Sequence, residues 1–338
     1  MSFFNTLTKN KIYVIAEACD NHMGSFDIAI ALADAAIDAG ADAVKFQHHL
    51  AYEEMLEESP MSDNFEEPLF DFLQRNSLSL EQHYKLKEYC DSKKITYLCT
   101  PFSFKAAEEI QSLVPFFKIG SGEFQDHWFI DNLKSIGKPV LFSTGMCSWD
   151  ELKSNVEYIK KTNLDFALMN CLSEYPPKYS DMNLNLIETM INEFPNIVIG
   201  HSDHSPEIYT TIVSAFLGAR ILEKHITIST FVPGPDQSVS IESNEFKKLV
   251  SAVQYIDKTS GSEKKIQDKE VDIRTWAYRS IVSRRDINAG EIISDDDIQT
   301  KRPGLGIPSS QYKNVLGKKV LNSIKENTLI SWKDLDEE

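Results

Sequence analysis

Positive charge is scarce in this chain. Lysines and arginines number 35 against 51 aspartates and glutamates, a formal charge of −16 with a pI near 5.0. A field of that sign repels nucleic acid and anionic membrane surfaces, so neither is expected as a partner. An anionic substrate would have to be held by a local cluster of cations or amides. Cysteine is also sparse: Cys19, Cys90, Cys99, Cys147 and Cys171 are odd in number and form no CxxC pair. That argues against a disulfide framework or a structural zinc knot. Cys19, Cys99 and Cys171 sit in or beside short apolar runs and read as buried small hydrophobes. No apolar run approaches the roughly 20 residues that span a bilayer. Residues 1–11 lack the long apolar core of a signal peptide, so a soluble cytoplasmic protein is expected. Nor does a GxGxxG follow the first apolar run, which counts against an open dinucleotide-binding sheet.

What remains is an ordinary globular composition, 42% apolar and 25% charged, that can bury a large core. A length of 338 residues suits a barrel of about 250 residues with a small appendage. Short apolar runs, the strand candidates, fall at 12–18, 43–47, 96–100, 117–120, 140–143, 166–170, 197–200 and 221–224. Their near-continuous apolar character is that of parallel strands covered on both faces. Helical patterns lie between them near 26–39, 80–92, 104–112, 148–161, 184–193, 206–217 and 244–256. The first is bounded by Ser25 as N-cap and Gly40 as terminator, with Ile28, Leu32, Ala35 and Ala39 expected to face inward. Alternating βα units, eight in number, predict a (β/α)8 TIM barrel over residues 1–257.

Two stretches break the rhythm. Residues 48–80, rich in Glu, Asp, Met and Phe, form a long connection expected to act as a lid or substrate wall. Residues 258–277 read as a linker, followed by a compact β-rich domain over 278–338 with turn signals at Asn288–Gly290 and Arg302–Gly306.

Catalytic residues of such barrels stand at the C-terminal ends of strands. Here those ends carry Glu17, Asn21 and His22; Lys45 and Gln47; Thr100; Lys118, Ser121 and Glu123; and Ser143. Later strands add Ser173, Glu174 and Tyr175, then Ser202, Asp203 and His204, then Glu223, Lys224 and His225. Lys45 and Lys118 lie in otherwise apolar strands and need an anion beside them. With Ser121, Gly122 and Ser143 they suggest a phosphate or carboxylate cradle, although each lysine alone could equally serve a structural ion pair. A lone histidine is usually a core residue. His204 and His225, however, end neighbouring strands about 4.8 Å apart and could share one divalent ion. With no thiolate in the set, Mn²⁺ or Mg²⁺ is expected, with Co²⁺ a further option. His22, His48, His49 and His127 lack such a pairing and are expected in loops or at the surface. Glu17, Glu123 and Asp236 are acid–base or hydroxyl-binding candidates, and caps or ion-pair partners otherwise.

These residues fall in motifs that resemble the sialic acid synthase family, from about residue 12 to the C-terminus. The motifs are Ile15-Ala16-Glu17 with Asn21-His22 and Gly24, Val44-Lys45-Phe46-Gln47, Thr100-Pro101-Phe102 and Lys118-Ile119-Gly120-Ser121-Gly122-Glu123. They continue with Ser143-Thr144-Gly145-Met146, Ser202-Asp203-His204, Glu223-Lys224-His225 and Gly234-Pro235-Asp236. Tyr278-Arg279-Ser280 and Lys301-Arg302-Pro303-Gly304 resemble the antifreeze-like (SAF) domain that follows the barrel in that family. The resemblance implies condensation of phosphoenolpyruvate with an amino-sugar aldehyde. It implies that Lys45, Thr100, Lys118, Ser121 and Ser143, with Ser173 and Ser202, hold phosphoenolpyruvate. Gln47, Tyr175, Asp236 and Arg302 would contact the sugar, and His204 and His225 the metal. Glu17 and Glu123 would be catalytic, Glu123 managing the attacking water. Arg302 would come from the partner in a domain-swapped homodimer. Ser173, Gln237 and Leu305 depart from the usual family residues, which puts the sugar rather than the reaction in question. A metal-dependent aldolase or isomerase on the same barrel, or a non-catalytic carbohydrate-binding protein, are the competing readings.

Overall fold

The computed structural model describes residues 2–59 and 67–336. Eight parallel strands make the barrel: β1 (Tyr13–Glu17), β2 (Ala43–His48), β3 (Thr96–Pro101), β4 (Phe117–Ile119), β5 (Val140–Ser143), β6 (Phe166–Cys171), β7 (Ile199–Asp203) and β8 (Ile221–Thr227). The hydrogen-bonded order is β3-β2-β1-β8-β7-β6-β5-β4. β3 and β4 at its two ends lie side by side, so the barrel is nearly closed. A two-residue strand, β9 (Ile241–Glu242), pairs in parallel with the end of β8 at Ile226 and Thr227.

Side chains alternate along each strand. Tyr13, Ile15, Ala43, Leu98, Leu141, Ala167 and Ile221 face inward and pack as one apolar cluster with Phe4 and Phe116. Val14, Val44, Tyr97, Phe142, Leu168 and Leu222 face outward into the larger core shared with the helices. The short helix Phe3–Leu7 covers the N-terminal end, where the Phe4 ring sits 5.2 Å from that of Phe116. Asp165 anchors this helix by accepting from the Phe3 amide at 2.6 Å.

Helix Phe26–Ala39 forms as the sequence predicts, with Ser25 accepting from the Ile28 amide and Gly40 at φ +79°. Its buried stripe is Ala29, Leu32, Ala33, Ala36 and Ala39, rotated slightly from the expected one. The helix His127–Ile136 was not foreseen, although Asp126 caps it at 2.9 Å and Gly137 ends it at φ +75°. The expected lid contains two helical segments, Ala51–Glu54 and Leu69–Asn76. They share an apolar cluster of Ala51, Phe70, Phe72 and Leu73 with Met23 packed against it. Residues 60–66 of that stretch lie outside the described residues.

The chain divides into two compact units, Met1–Ser260 and Gly261–Glu338. The second half of the expected linker is a helix, Asp268–Ala277, opened by a reciprocal Gln267–Glu270 capping box. It buries none of its residues, so no apolar stripe announced it in the sequence. The second unit then forms an antiparallel pair, β10 (Ser280–Ser283) with β11 (Ile298–Lys301), over an aliphatic core that includes Ile281, Ile293, Ile307 and Ile330. Among the described residues no helix is long and apolar enough to cross a membrane.

Candidate active site

The C-terminal end of the barrel opens into a cavity of about 280 Å³. Parallel register sets its contents. Glu17 lies beside Lys45 and His225, Gln47 beside Thr100, and Ser202 beside Glu223. Because inward positions alternate, the strands that place apolar residues at the N-terminal end place these polar ones at the mouth.

Lys45 and Lys118 are both 3% exposed, and the anion their burial requires is supplied by the protein itself. The Lys45 ammonium sits 2.7 Å from the Glu17 carboxylate and 3.5 Å from that of Glu223, and donates to Thr100 Oγ1 at 2.9 Å. Lys118 donates to Ser143 Oγ at 2.7 Å and lies 3.6 Å from Glu223. Glu223 also accepts from Ser202 at 2.9 Å. It therefore knits both lysines to β7, a role not read from the sequence. Its place two residues before His225, on the same inward face, was the available signal.

The two carboxylates are pushed apart. Burial would raise Glu223, but Lys118 and Lys45 outweigh it and hold this carboxyl below its ordinary value. Burial raises Glu17 well into the neutral range, Lys45 opposing and the Glu223 charge adding to the rise. For Lys45, burial opposes the charge, yet Glu17 and Glu223 keep its ammonium above the ordinary lysine range. When Glu17 holds its proton, two ammonium groups face one carboxylate. The mouth then has positive charge left for a substrate anion.

Hydroxyls and a second acid complete the wall opposite. Ser121 Oγ accepts from the Gly145 amide at 3.0 Å. A Cβ on Gly145 would meet Ser121 Oγ at 2.7 Å and the Ser173 hydroxyl as well, so glycine is what lets these two oxygens close on the loop. A Cβ on Gly120 would likewise strike the Glu123 carboxylate at 2.7 Å. Burial, with Glu54 adding, pushes Glu123 up to about 7, and its Oε2 has no hydrogen-bond partner. A carboxyl raised that far could exchange a proton near neutrality.

His204 and His225 come together with ring centroids 5.4 Å apart. His204 Nδ1 lies 2.7 Å from the Leu172 carbonyl, an arrangement that puts the proton on Nδ1 and makes Nε2 an acceptor. That Nε2 meets the Tyr175 hydroxyl at 2.9 Å, and the Tyr175 ring stacks on the imidazole. His225 Nδ1 is buried with no partner. Burial lowers His204 to about 4, and burial with the neighbouring His204 takes His225 well below the ordinary range. Two neutral imidazoles, one with an orphaned buried nitrogen, fit a divalent cation.

Thirteen of the sequence-predicted site residues line this one cavity: Glu17, Lys45, Gln47, Thr100, Lys118, Ser121, Glu123, Ser143, Ser173, Tyr175, Ser202, His204 and His225. Asp236 lies just beyond them, next to Cys19 and His225. Burial raises its carboxyl to about 6. Arg302 belongs to the second unit, where its Nε donates to the Ala277 carbonyl at 3.0 Å and its guanidinium covers the Trp276 ring.

Of the histidines expected in loops or at the surface, His22 and His49 lie in loops and His48 ends β2, and all three are buried. His49 bridges Glu54 at 2.8 Å and Gln47 at 3.0 Å and stacks on Phe102, so it fixes a cavity residue from behind. His48 faces outward to Glu109 and the His83 ring. For His48 the partners lie on distant elements, which the sequence could not reveal. His127 is exposed, as expected, and pairs with Asn155.

The fold and this mouth are those of a (β/α)8 barrel with a polar, charge-lined cavity at the C-terminal ends of its strands. Residues 32–265 match the NeuB family and residues 278–336 the SAF domain, and the chain belongs to the NeuB family. An uncharacterised protein of Methanocaldococcus jannaschii is 38% identical over 326 residues, covering 96% of this chain and 94% of that protein. The N,N'-diacetyllegionaminic acid synthase of Legionella pneumophila is 34% identical over 337 residues, with 96% and 94% covered. The crystal structure of the N-acetylneuraminic acid (sialic acid) synthetase of Leptospira borgpetersenii superposes with a TM-score of 0.71 at 30% identity, over 78% of this chain and 92% of that one.

Proposed function

We propose that this protein condenses phosphoenolpyruvate with an N-acetylated amino-sugar aldehyde, giving a nonulosonic acid and phosphate by C–O cleavage. The observation that carries this reading is the pair of buried lysines at one mouth, each beside a serine or threonine hydroxyl and sharing Glu223. A ligand with both a phosphate and a carboxylate fits such a double cation cradle, with Ser121, Ser173 and Ser202 supplying further hydroxyls.

In the reaction, carbon 3 of phosphoenolpyruvate bonds to the aldehyde carbon of the open-chain sugar, leaving carbon 2 electron-poor. Water adds at carbon 2, and the bond between carbon 2 and the bridging oxygen breaks to release phosphate. Glu123, titrating near neutrality, orients that water and takes its proton. Lys45 and Lys118 stabilise the charge that develops on the departing phosphate. Glu17, hydrogen-bonded by Gln47 at 2.9 Å, hands a proton to or from the sugar side. His204 and His225 would hold a divalent cation, Mn²⁺ first with Mg²⁺ or Co²⁺ as alternatives, which when bound would supply Lewis acidity toward the aldehyde oxygen. Holding both substrates in one small cavity makes their encounter effectively unimolecular.

The sugar is a neutral one on this reading, N-acetylmannosamine or a 2,4-diacetamido-trideoxy hexose. Lys45 and Lys118 are the cations among the cavity-lining residues described, and both are committed to phosphoenolpyruvate, so a sugar phosphate has no anchor left in the barrel. The Legionella relative's name favours the diacetamido sugar. Tyr175, Gln47 and Asp236 would meet it, with Arg302 arriving from the partner in a domain-swapped homodimer. The enzyme would work in the cytoplasm, where phosphoenolpyruvate is found.

Phosphate release by the chelator-treated protein tests the reading, with phosphoenolpyruvate, Mn²⁺ and a panel of these sugars. Release that requires both the metal and one sugar, with a product mass of sugar plus a pyruvyl unit, is expected. Absence of phosphoenolpyruvate binding would sink it.

A further inference from the structure

Cys19 reads in the sequence as one more buried small hydrophobe, and the structure gives it different company. It follows β1 in a fully buried turn with φ of +41°, the left-handed region that L side chains seldom occupy. Glycine would sit there without strain, so a cysteine held there directs attention to its side chain. Its Sγ, one nitrogen of His225 and one carboxylate oxygen of Asp236 all lie within 4.8 Å of one another. His225 is 5% exposed, and its Nδ1 has no hydrogen-bond partner. Metal–ligand lengths of 2.0–2.3 Å put the donors of one tetrahedral ion roughly 3–4 Å apart. Small side-chain rotations would therefore bring this set onto a single cation.

We propose that Cys19 and Asp236 join His225 as ligands of one divalent ion, so that the site is of mixed sulfur, nitrogen and oxygen character. The proposal rests on the metal role assigned above to His204 and His225 and deepens it. It changes which metal the chain selects. A thiolate is a soft ligand, and its presence moves the preference away from Mg²⁺ toward Co²⁺, Zn²⁺ or Fe²⁺. Closing the site replaces the S–H bond with a metal–sulfur bond and releases the proton to solvent. No electron is transferred. His204, just after β7, stands beside this set with its ring 5.4 Å from that of His225, and would reach the ion by giving up the Tyr175 hydroxyl on its Nε2.

The test is the absorption spectrum of the metal-free full-length protein titrated with Co²⁺ alone. One ion per chain with a sulfur-to-cobalt charge-transfer band in the near ultraviolet is expected. Cys19→Gly, which relieves the +41° backbone and should leave folding intact by circular dichroism, should lose the band and bind Co²⁺ about tenfold or more weakly. Asp236→Asn should weaken Co²⁺ to a similar degree with the band retained. One Co²⁺ bound per chain without the band, or a band unchanged in Cys19→Gly, would overturn the sulfur ligand and leave the histidine pair standing. No Co²⁺ bound at all would remove the metal from both readings.

Discussion

At the N-terminal end of the barrel, Tyr13, Ala43, Phe116 and Ile221 close on the rings of Phe3 and Phe4 in a cluster without a charge. Two to four residues further along the same strands stand Glu17, Lys45, Lys118 and His225, equally buried and mostly ionisable. One end gains stability from apolar area removed from water, about 25 cal/mol per Å². The other spends part of that gain on desolvating charges that face one another across a cavity. The contrast teaches that burial alone does not mark a core, since the chemistry of what is buried separates scaffold from site.

The largest expected effect tests the scaffold end. Phe4→Ala should lower unfolding free energy by about 3–5 kcal/mol, read as a shift of the urea midpoint. Phosphoenolpyruvate affinity of the folded protein should stay the same. If affinity fell in step with stability, the two ends would not be separable.

Next comes the mouth. Lys118→Met should cut kcat/KM by about 10²–10³-fold. Its midpoint should move less than that of Phe4→Ala, because Glu223 keeps Lys45 at 3.5 Å. A stability loss as large as that of Phe4→Ala, with activity per folded molecule preserved, would make Lys118 a structural ion-pair partner.

The smallest effect concerns pH. A carboxyl raised from 4.5 to about 7 holds its proton in the folded protein while the unfolded chain has lost it, so stability falls as pH rises through that window. Glu123→Gln carries no such penalty. Relative to the wild type it should gain about 1–3 kcal/mol between pH 5 and pH 8, measured as melting temperature at both pH values. It should also lose activity, and any break left in the rate profile near pH 7 should be the one that Glu17 contributes. Equal melting behaviour at the two pH values would mean that Glu123 is well solvated.

Much of this was legible beforehand. Short, near-continuous apolar runs alternating with helical patterns placed all eight strands, and the strand ends named most of the cavity. Helix His127–Ile136 carried readable signals in Asp126 and Gly137. Helix Asp268–Ala277 carried only polar ones, because it buries nothing. Glu223 and Cys19 went unassigned for a common reason: each is defined by a neighbour on another strand or loop, such as Lys118 or Asp236.

The sequence by itself determined the eight apolar runs alternating with helices, and with them the barrel and the set of polar residues at its mouth, because an apolar strand and the polar residues that end it are local features of the chain. The tertiary structure decided which groups are paired and which remain free to act. Glu223 is claimed by two lysines, Glu17 is raised, His225 keeps an unpartnered nitrogen, and Cys19 faces Asp236. Electrostatics and ligation depend on distances of a few ångströms between residues far apart in the chain, and only the closed barrel sets those distances.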